Sequence, residues 1–205
     1  VTQRIHNSHQ WGQVFKQYAD DIEKKIGPQV SSLKAAKHKH ESFAKPKCRF
    51  VLYFEAFIAL AMHMVRKGGE YAKYGTSFLR YINEEVAVQA AMLADASSEG
   101  VQFIRKMDEE ETDLSEVNCA LGDYLLKLET LFVHEQCVHI TGYTPFMLQR
   151  LETPFQWRSG STVKVVGGAA ETWDKAGVIK RCLQRMRAYT KVTVHVSKAE
   201  FPDFD

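Results

Sequence analysis

The sequence lacks the short patterns that mark the common catalytic and nucleotide-binding sites. Neither the Gly-x-Ser-x-Gly elbow of hydrolases nor the Gly-x-x-x-x-Gly-Lys-Ser/Thr phosphate loop occurs in it. Gly167-Gly168 lies between a predicted strand and a predicted helix, but the Gly-x-Gly-x-x-Gly pattern of a dinucleotide site is missing. No reaction, cofactor or metal site is indicated, and we expect a non-enzymatic protein.

Cysteine is scarce, with four in 205 residues, and no two of them form a Cys-x-x-Cys pair. The four are far apart and lie in apolar or helical stretches, which is typical of free thiols and argues against a disulfide framework. The sequence also has no Asn-x-Ser/Thr site and no apolar signal segment at its start. These absences favour an intracellular protein, either cytoplasmic or nuclear. The first residue, Val1, suggests either a fragment of a larger protein or a processed chain.

A long uninterrupted apolar run is missing as well. The longest apolar stretch, Cys48–Val65, contains Arg49, Glu55 and His63. These polar side chains make it a poor membrane span, so we expect no membrane partner. Because the stretch is apolar on nearly all sides, it predicts a buried central helix over about 49–66.

Amphipathic helices account for most of the chain. Its composition, 45% hydrophobic and 25% charged, is that of an ordinary globular protein. Apolar residues recur at three- and four-residue steps, which predicts a mainly α fold with a helical bundle over residues 1–140. Besides 49–66, helices are predicted over about 9–26, over about 30–45 with Pro46 as a stop, over 71–82, from an Asn83 cap to Ile104, and from Leu114 to about Val138.

The pattern changes after His139. Thr144 can cap a short helix, and the segment from Phe155 to Val166 predicts a β-hairpin with a glycine in its loop. A helix follows, and the alternation of valines over 190–196 predicts a half-exposed strand. Residues 141–196 are thus expected to form a small α+β module. A winged-helix-like arrangement is one interpretation of this module. Residues 197–205 are expected to form a loose tail.

Charge is segregated along the chain despite a formal net charge of only +2. Residues 1–48 hold nine lysines and arginines against four acidic residues, and 141–205 hold ten against six. Residues 49–140 hold eight against fifteen. A basic–acidic–basic layout of this kind favours charged macromolecules as partners.

The basic residues of the last helix and the preceding hairpin are the strongest candidates for a binding site. Lysine and arginine side chains bind phosphates by displacing condensed counterions, so DNA or RNA is the expected partner. Arg181 and Arg185 are four residues apart and share a helix face. The predicted phosphate contacts are Lys164, Lys180, Arg181, Arg185, Arg187 and Lys191. A solvated helix face with no partner is the plainer interpretation of the same residues, as it is for the basic run Lys34–Lys47.

Two other kinds of function stay open. An all-helical scaffold could bind a protein partner through its acidic middle or its basic ends, and a large exposed apolar patch would favour it. A ligand- or metal-binding bundle could use Glu55 and His63, which lie about two helical turns apart, together with His134 or His139. The spacing of His134, Glu135 and His139 does not match a zinc-protease motif, and no second cluster completes a zinc site.

Overall fold

The computed structural model describes residues 9–26, 44–108, 113–159, 162–169 and 171–201. Within these ranges the chain is mainly helical, as predicted. The α-helices are α1 (His9–Ile26), α2 (Ala44–Leu52), α3 (Phe54–Lys67), α4 (Gly69–Tyr81), α5 (Glu84–Met107), α6 (Leu114–Leu128), α7 (Tyr143–Arg150) and α8 (Lys175–Glu200). A π-helical turn, Glu129–Val133, and a 3-10 turn, Gln136–Val138, separate α6 from α7. The predicted helix over about 30–45 falls largely outside the described residues.

One core cluster includes residues from both parts of the predicted layout. Buried side chains of α2, α3 and α5 pack with those of α7, the hairpin and α8. Phe54, for example, meets Phe155 of the hairpin edge to face, with ring centroids 5.5 Å apart. The helical body and the C-terminal module therefore pack directly on each other.

A smaller apolar cluster attaches α1 to the body. Trp11, which is 1% exposed, packs with Leu60 and Met64 of α3. Phe15 adds a ring contact to Phe57, with centroids 4.9 Å apart. The bounds of α1 agree with the sequence prediction because its apolar stripe runs without interruption from Trp11.

The predicted central helix over 49–66 is wrong in one respect, because it is two helices. The chain bends by 82° between α2 and α3, at Tyr53. No glycine or proline marks this break. The bend instead accompanies aromatic packing, in which Phe50 lies 5.6 Å from Phe57 between ring centroids. Pro46 does not stop a helix; it lies in the first turn of α2, where a missing N–H costs no intrahelical bond.

No single helix of the described chain is long and apolar enough to cross a membrane. Pro46–Leu52 and α3, which are bent relative to each other, are long and apolar enough only when they are taken together, and only by length and composition.

The hairpin is confirmed and consists of β1 (Phe155–Ser159) and β2 (Thr162–Val166), paired antiparallel. Trp157 faces Lys164 across the ladder, and its side chain is buried. The backbone N–H of Gly167 donates to the Glu84 carboxylate at 2.9 Å, which ties the end of the hairpin to α5.

The prediction of a strand over 190–196 is wrong, and so is the prediction that a loose tail begins at residue 197. Both segments continue α8, which extends to Glu200. Thr190 and Thr193 donate their hydroxyl groups to the Met186 and Tyr189 carbonyls, each at 3.0 Å. These bonds to the preceding turn suit threonine in a helix, and no neighbouring strand in the described chain offers a sheet edge here. Residues 202–205 lie outside the described residues.

Candidate nucleic-acid interface

The six predicted phosphate contacts divide between side chains that bond within the described chain and side chains that face solvent. Lys164, on β2, points back into the molecule. Its ammonium donates to the carbonyls of Leu79 at 3.2 Å and Arg80 at 2.8 Å, and lies over the Trp157 ring. Burial lowers the pKa of Lys164 from its usual range. This lysine therefore joins the hairpin to the end of α4.

Arg181 and Arg185 share one carboxylate, that of Glu85 in the first turn of α5. The Arg181 Nε atom lies 2.8 Å from one Glu85 oxygen, and the Arg185 guanidinium lies 2.5 Å from the other. Hydrogen bonds from Arg181 and then from Arg185 hold the pKa of Glu85 below its usual range. Both arginine side chains are still about half exposed, at 50% and 57%. The pair attaches α8 to α5, and Arg181 also lies 3.7 Å from the Asp174 carboxylate, so two carboxylates balance the two arginines.

Arg187 lies on a different side of α8 and forms an ion pair with Glu135. Glu135 has a left-handed backbone, with φ of 60°, just after the π-helical turn. The helix predicted to reach Val138 is therefore interrupted well before that residue. The helical backbone ends with the π-helical turn at Val133, and Glu135, two residues further on, lies beside Arg187 of α8.

Lys180 and Lys191 are exposed, and no carboxylate of the described chain pairs with them. In an α-helix each residue advances by about 100°, so positions seven and eleven apart fall nearly in line. Lys180, Arg187, Lys191 and Lys198 therefore lie along one side of α8. We call these four residues the basic ridge.

Arg181 and Arg185 face a direction well away from the basic ridge, since position 181 follows Lys180 by one residue and thus by about 100°. Lys198 is not among the six predicted phosphate contacts. The signal was its spacing of seven from Lys191, but residues 190–196 were predicted as a strand and 197–205 as a tail. With the helix in place, Lys198 extends the line of cations by two turns.

The residues of the alternative metal or ligand site are not brought together. Glu55 forms an ion pair with Arg150 of α7, whereas His63 packs edge to face on Trp11 with ring centroids 6.0 Å apart. His134 and His139 are exposed, and the chain between them is not one α-helix. The described residues contain no group of three histidine, cysteine or acidic side chains arranged to hold a metal ion.

A buried carboxylate in the middle of α5 was also missed. Asp95 accepts hydrogen bonds from the Tyr143 N–H at 2.7 Å and the Thr144 N–H at 3.0 Å. It thus serves as the cap of α7 from another helix, in place of the predicted cap Thr144. The residue before the helix is Gly142, and a Cβ there would lie 2.8 Å from an Asp95 oxygen. Sequence patterns cannot show a cap supplied from 48 residues away.

The basic run predicted to face phosphate at Lys34–Lys47 falls mostly outside the described residues. Lys47 is described, and its ammonium donates to the Ser97 hydroxyl at 2.8 Å.

The chain matches no protein-family model, no curated protein and no solved structure. Among the described cations, the basic ridge is the set that combines exposure with regular spacing, and such an arrangement attracts polyanions.

Proposed function

We propose that the chain is a non-enzymatic interaction domain that binds the phosphate backbone of DNA or RNA along the basic ridge of α8. The observation that carries the proposal is that four cations lie in line on one long helix and only Arg187 has a carboxylate partner in the described chain. Cations without an internal partner can release condensed counterions when they meet phosphates.

The length of the ridge suits an extended partner. Lys180 and Lys198 are 18 positions apart on α8, which corresponds to about 27 Å of helix axis. A cavity-bound anion would meet one or two of these side chains, whereas a nucleic-acid strand passes several phosphates over such a length. The ridge therefore favours a polymer over a small anion.

In this proposal Lys164, Arg181 and Arg185 have a second role. Their bonds to α4 and α5 hold the hairpin and α8 in position, so the basic ridge is carried on a helix that is fixed to the rest of the protein. We include a winged-helix-like arrangement in the proposal, because α7, the hairpin and α8 follow one another along the chain in the order helix, hairpin, helix. Four free cysteines support an intracellular setting, cytoplasmic or nuclear.

Fluorescence anisotropy with labelled duplex DNA and single-stranded RNA tests the proposal. We expect the logarithm of affinity to fall linearly with the logarithm of salt concentration. The double variant Lys180→Gln/Lys191→Gln should reduce the slope by about 1.8 on duplex or about 1.4 on single strands, since each contact contributes about 0.9 or 0.7.

The matched control is Arg49→Gln/Lys73→Gln, which removes the same charge from exposed positions on α2 and α4. The control should keep the wild-type slope. Equal slopes for the two double variants, or no salt-dependent binding by the wild type, would overturn the proposal.

A second candidate function is supported by another side of α8. Tyr189, Val192 and Val196 are exposed at 40%, 62% and 49%, and they follow one another at helical spacing. No residue of α8 beyond Thr190 is buried in the described chain. Such a line of apolar side chains fits the same face of α8 in a second copy of the chain, which would serve as the protein partner that the scaffold hypothesis requires.

Sedimentation of the purified chain with and without Val192→Ser/Val196→Ser separates this second candidate from the first. Association of the wild type that the serine variant abolishes supports a helix-pairing surface. A wild type that stays monomeric at high concentration counts against self-association through these valines.

A further inference from the structure

A cavity of about 400 Å³ lies between α5, the turns that follow α6, and the start of α7. This volume falls in the range of small-molecule sites. One wall is apolar and contains Leu52, Leu131 and Cys137, all of them buried. The polar part of the lining comes from one side of α5. The polar side chains on it are Asp95, Ser98, Glu99 and Gln102.

Asp95 is the innermost charged group of this cavity and is only 8% exposed. It accepts three hydrogen bonds, from the Tyr143 N–H and from the N–H and hydroxyl of Thr144. A carboxylate has about four acceptor positions, so these bonds leave capacity for one more donor. Among the residues that the structure describes, no lysine, arginine or histidine lines the cavity. The buried carboxylate thus has hydrogen-bond donors but no counter-charge at the cavity surface.

Glu99 follows Asp95 by one helical turn and lies on the same side of α5. Its carboxylate pairs with Lys127 of α6 at 3.0 Å, and its side chain is 22% exposed. Lys127 does not line the cavity and is itself 52% exposed, so it reaches Glu99 from outside, and a cation bound in the cavity could replace it. The polar wall therefore has two carboxylates. Asp95 is buried and has no cationic partner at the cavity surface, whereas Glu99 is more exposed and pairs with a lysine that a bound cation could replace.

We propose that this cavity binds a small organic cation, namely an alkyl diamine, with one ammonium group on Asp95, the other on Glu99 and the hydrocarbon chain against Leu52 and Leu131. An ammonium donates three hydrogen bonds and supplies the missing positive charge. The alkyl chain matches the apolar wall, which a hydrated metal ion would leave unused. The site is separate from the basic ridge and does not depend on nucleic-acid binding.

Isothermal titration calorimetry of the full chain with diaminobutane tests the proposal, at constant ionic strength. Butanediol has a similar length and no charge, and butylamine has one ammonium group. We expect saturable binding of diaminobutane, binding of butylamine that is roughly tenfold weaker because one charged contact of about 1.4 kcal/mol is lost, and none of butanediol.

Two substitutions on the same ion pair give opposite expectations. Glu99→Gln should weaken diaminobutane binding roughly tenfold, whereas Lys127→Gln should tighten it by releasing Glu99 from its internal partner. Both side chains are partly exposed, so neither change is expected to unfold the protein. Ser98→Phe, which fills the cavity from α5, should abolish binding.

Asp95→Asn would test the inner contact directly, but it also weakens the cap of α7, so the decision rests on the Glu99 and Lys127 variants. Equal heats for diaminobutane and butanediol would overturn the proposal. So would tighter binding of Mg²⁺ than of diaminobutane, or Glu99→Gln and Lys127→Gln shifting the affinity in the same direction.

Discussion

Asp95 holds Thr144 by two hydrogen bonds, 3.0 Å from the backbone N–H and 2.6 Å from the hydroxyl. The two residues belong to α5 and α7, so these bonds join helices that are distant in sequence. Burial raises the pKa of Asp95, and the hydrogen bonds from Thr144 and Tyr143 oppose that shift. The start of α7 thus depends on a carboxylate that is costly to bury.

Replacing Asp95 by alanine is expected to destabilise the fold by about 2–4 kcal/mol, because it leaves the Tyr143 and Thr144 N–H groups without acceptors. Asp95→Asn retains one carbonyl acceptor and should cost less. Urea unfolding followed by circular dichroism measures both values. The exposed Asp123 serves as control, and Asp123→Ala is expected to change the stability by less than about 0.5 kcal/mol. An equal loss in the two alanine variants would contradict the role given to Asp95.

Glycine at position 75 lets α4 approach α3 closely. A Cβ at Gly75 would lie 2.5 Å from the Ala61 carbonyl oxygen, and this backbone atom cannot move without shifting α3. Gly75→Ala is therefore expected to destabilise the protein by about 1–3 kcal/mol.

Gly100 of α5 is the matched control for Gly75, because a Cβ there meets only the Tyr124 side chain, at ordinary contact distances of 3.7 Å and more. Alanine is a better helix former than glycine, so Gly100→Ala should stabilise by up to about 1 kcal/mol. Thermal unfolding of both variants should therefore shift the midpoint in opposite directions. A loss of stability in both would show that helix packing at Gly75 is not the cause.

Acidification is expected to loosen the contact between α5 and α8. The pKa of Glu85 is lowered by Arg181 and Arg185, so its carboxylate stabilises the fold at pH values above its unfolded pKa, near the ordinary 4.5. That contribution is lost as the pH falls through the lower folded pKa. Thermal unfolding of wild type and Glu85→Gln should therefore differ at neutral pH and converge in acid.

Glu70→Gln removes an exposed carboxylate from α4 and serves as the control for Glu85→Gln. It eliminates the same charge without touching the two arginines. A gap between wild type and Glu85→Gln that stays constant from neutral to acidic pH would show that this ion pair does not stabilise the fold.

Local signals in the sequence predicted some elements accurately. Asn83 was identified as a cap from its position before Glu84 and Glu85, and its side chain accepts the Val86 N–H at 2.9 Å. The hairpin was identified from its alternation and its glycine. Both features depend on residues within a few positions, which is why a single sequence reveals them.

Features that depend on tertiary packing were not predicted. The bend at Tyr53 has no local breaker, and the π-helical turn at Glu129 has no sequence signature that distinguishes it from the preceding helix. The internal partners of the basic residues were unpredictable for the same reason, because the carboxylates that pair with Arg181 and Arg187 include one on α5 and one in the turn at Glu135. The basic residues were visible in the sequence, but their division between internal contacts and the basic ridge was not.

The valine-rich end of α8 provides a direct test of helix against strand. Val192 and Val196 are exposed, and β-branched residues lose side-chain freedom in a helix. Val192→Ala/Val196→Ala should therefore stabilise a helix, by about 0.5 kcal/mol for each position, and increase the helical circular dichroism signal. In a strand the same change would weaken the structure, because alanine is a poor strand former. Hydrogen exchange of the amides from Lys191 to Ser197 measures the effect residue by residue. Slower exchange in the double variant supports the helix, and faster exchange would restore the strand that the alternation of valines predicted.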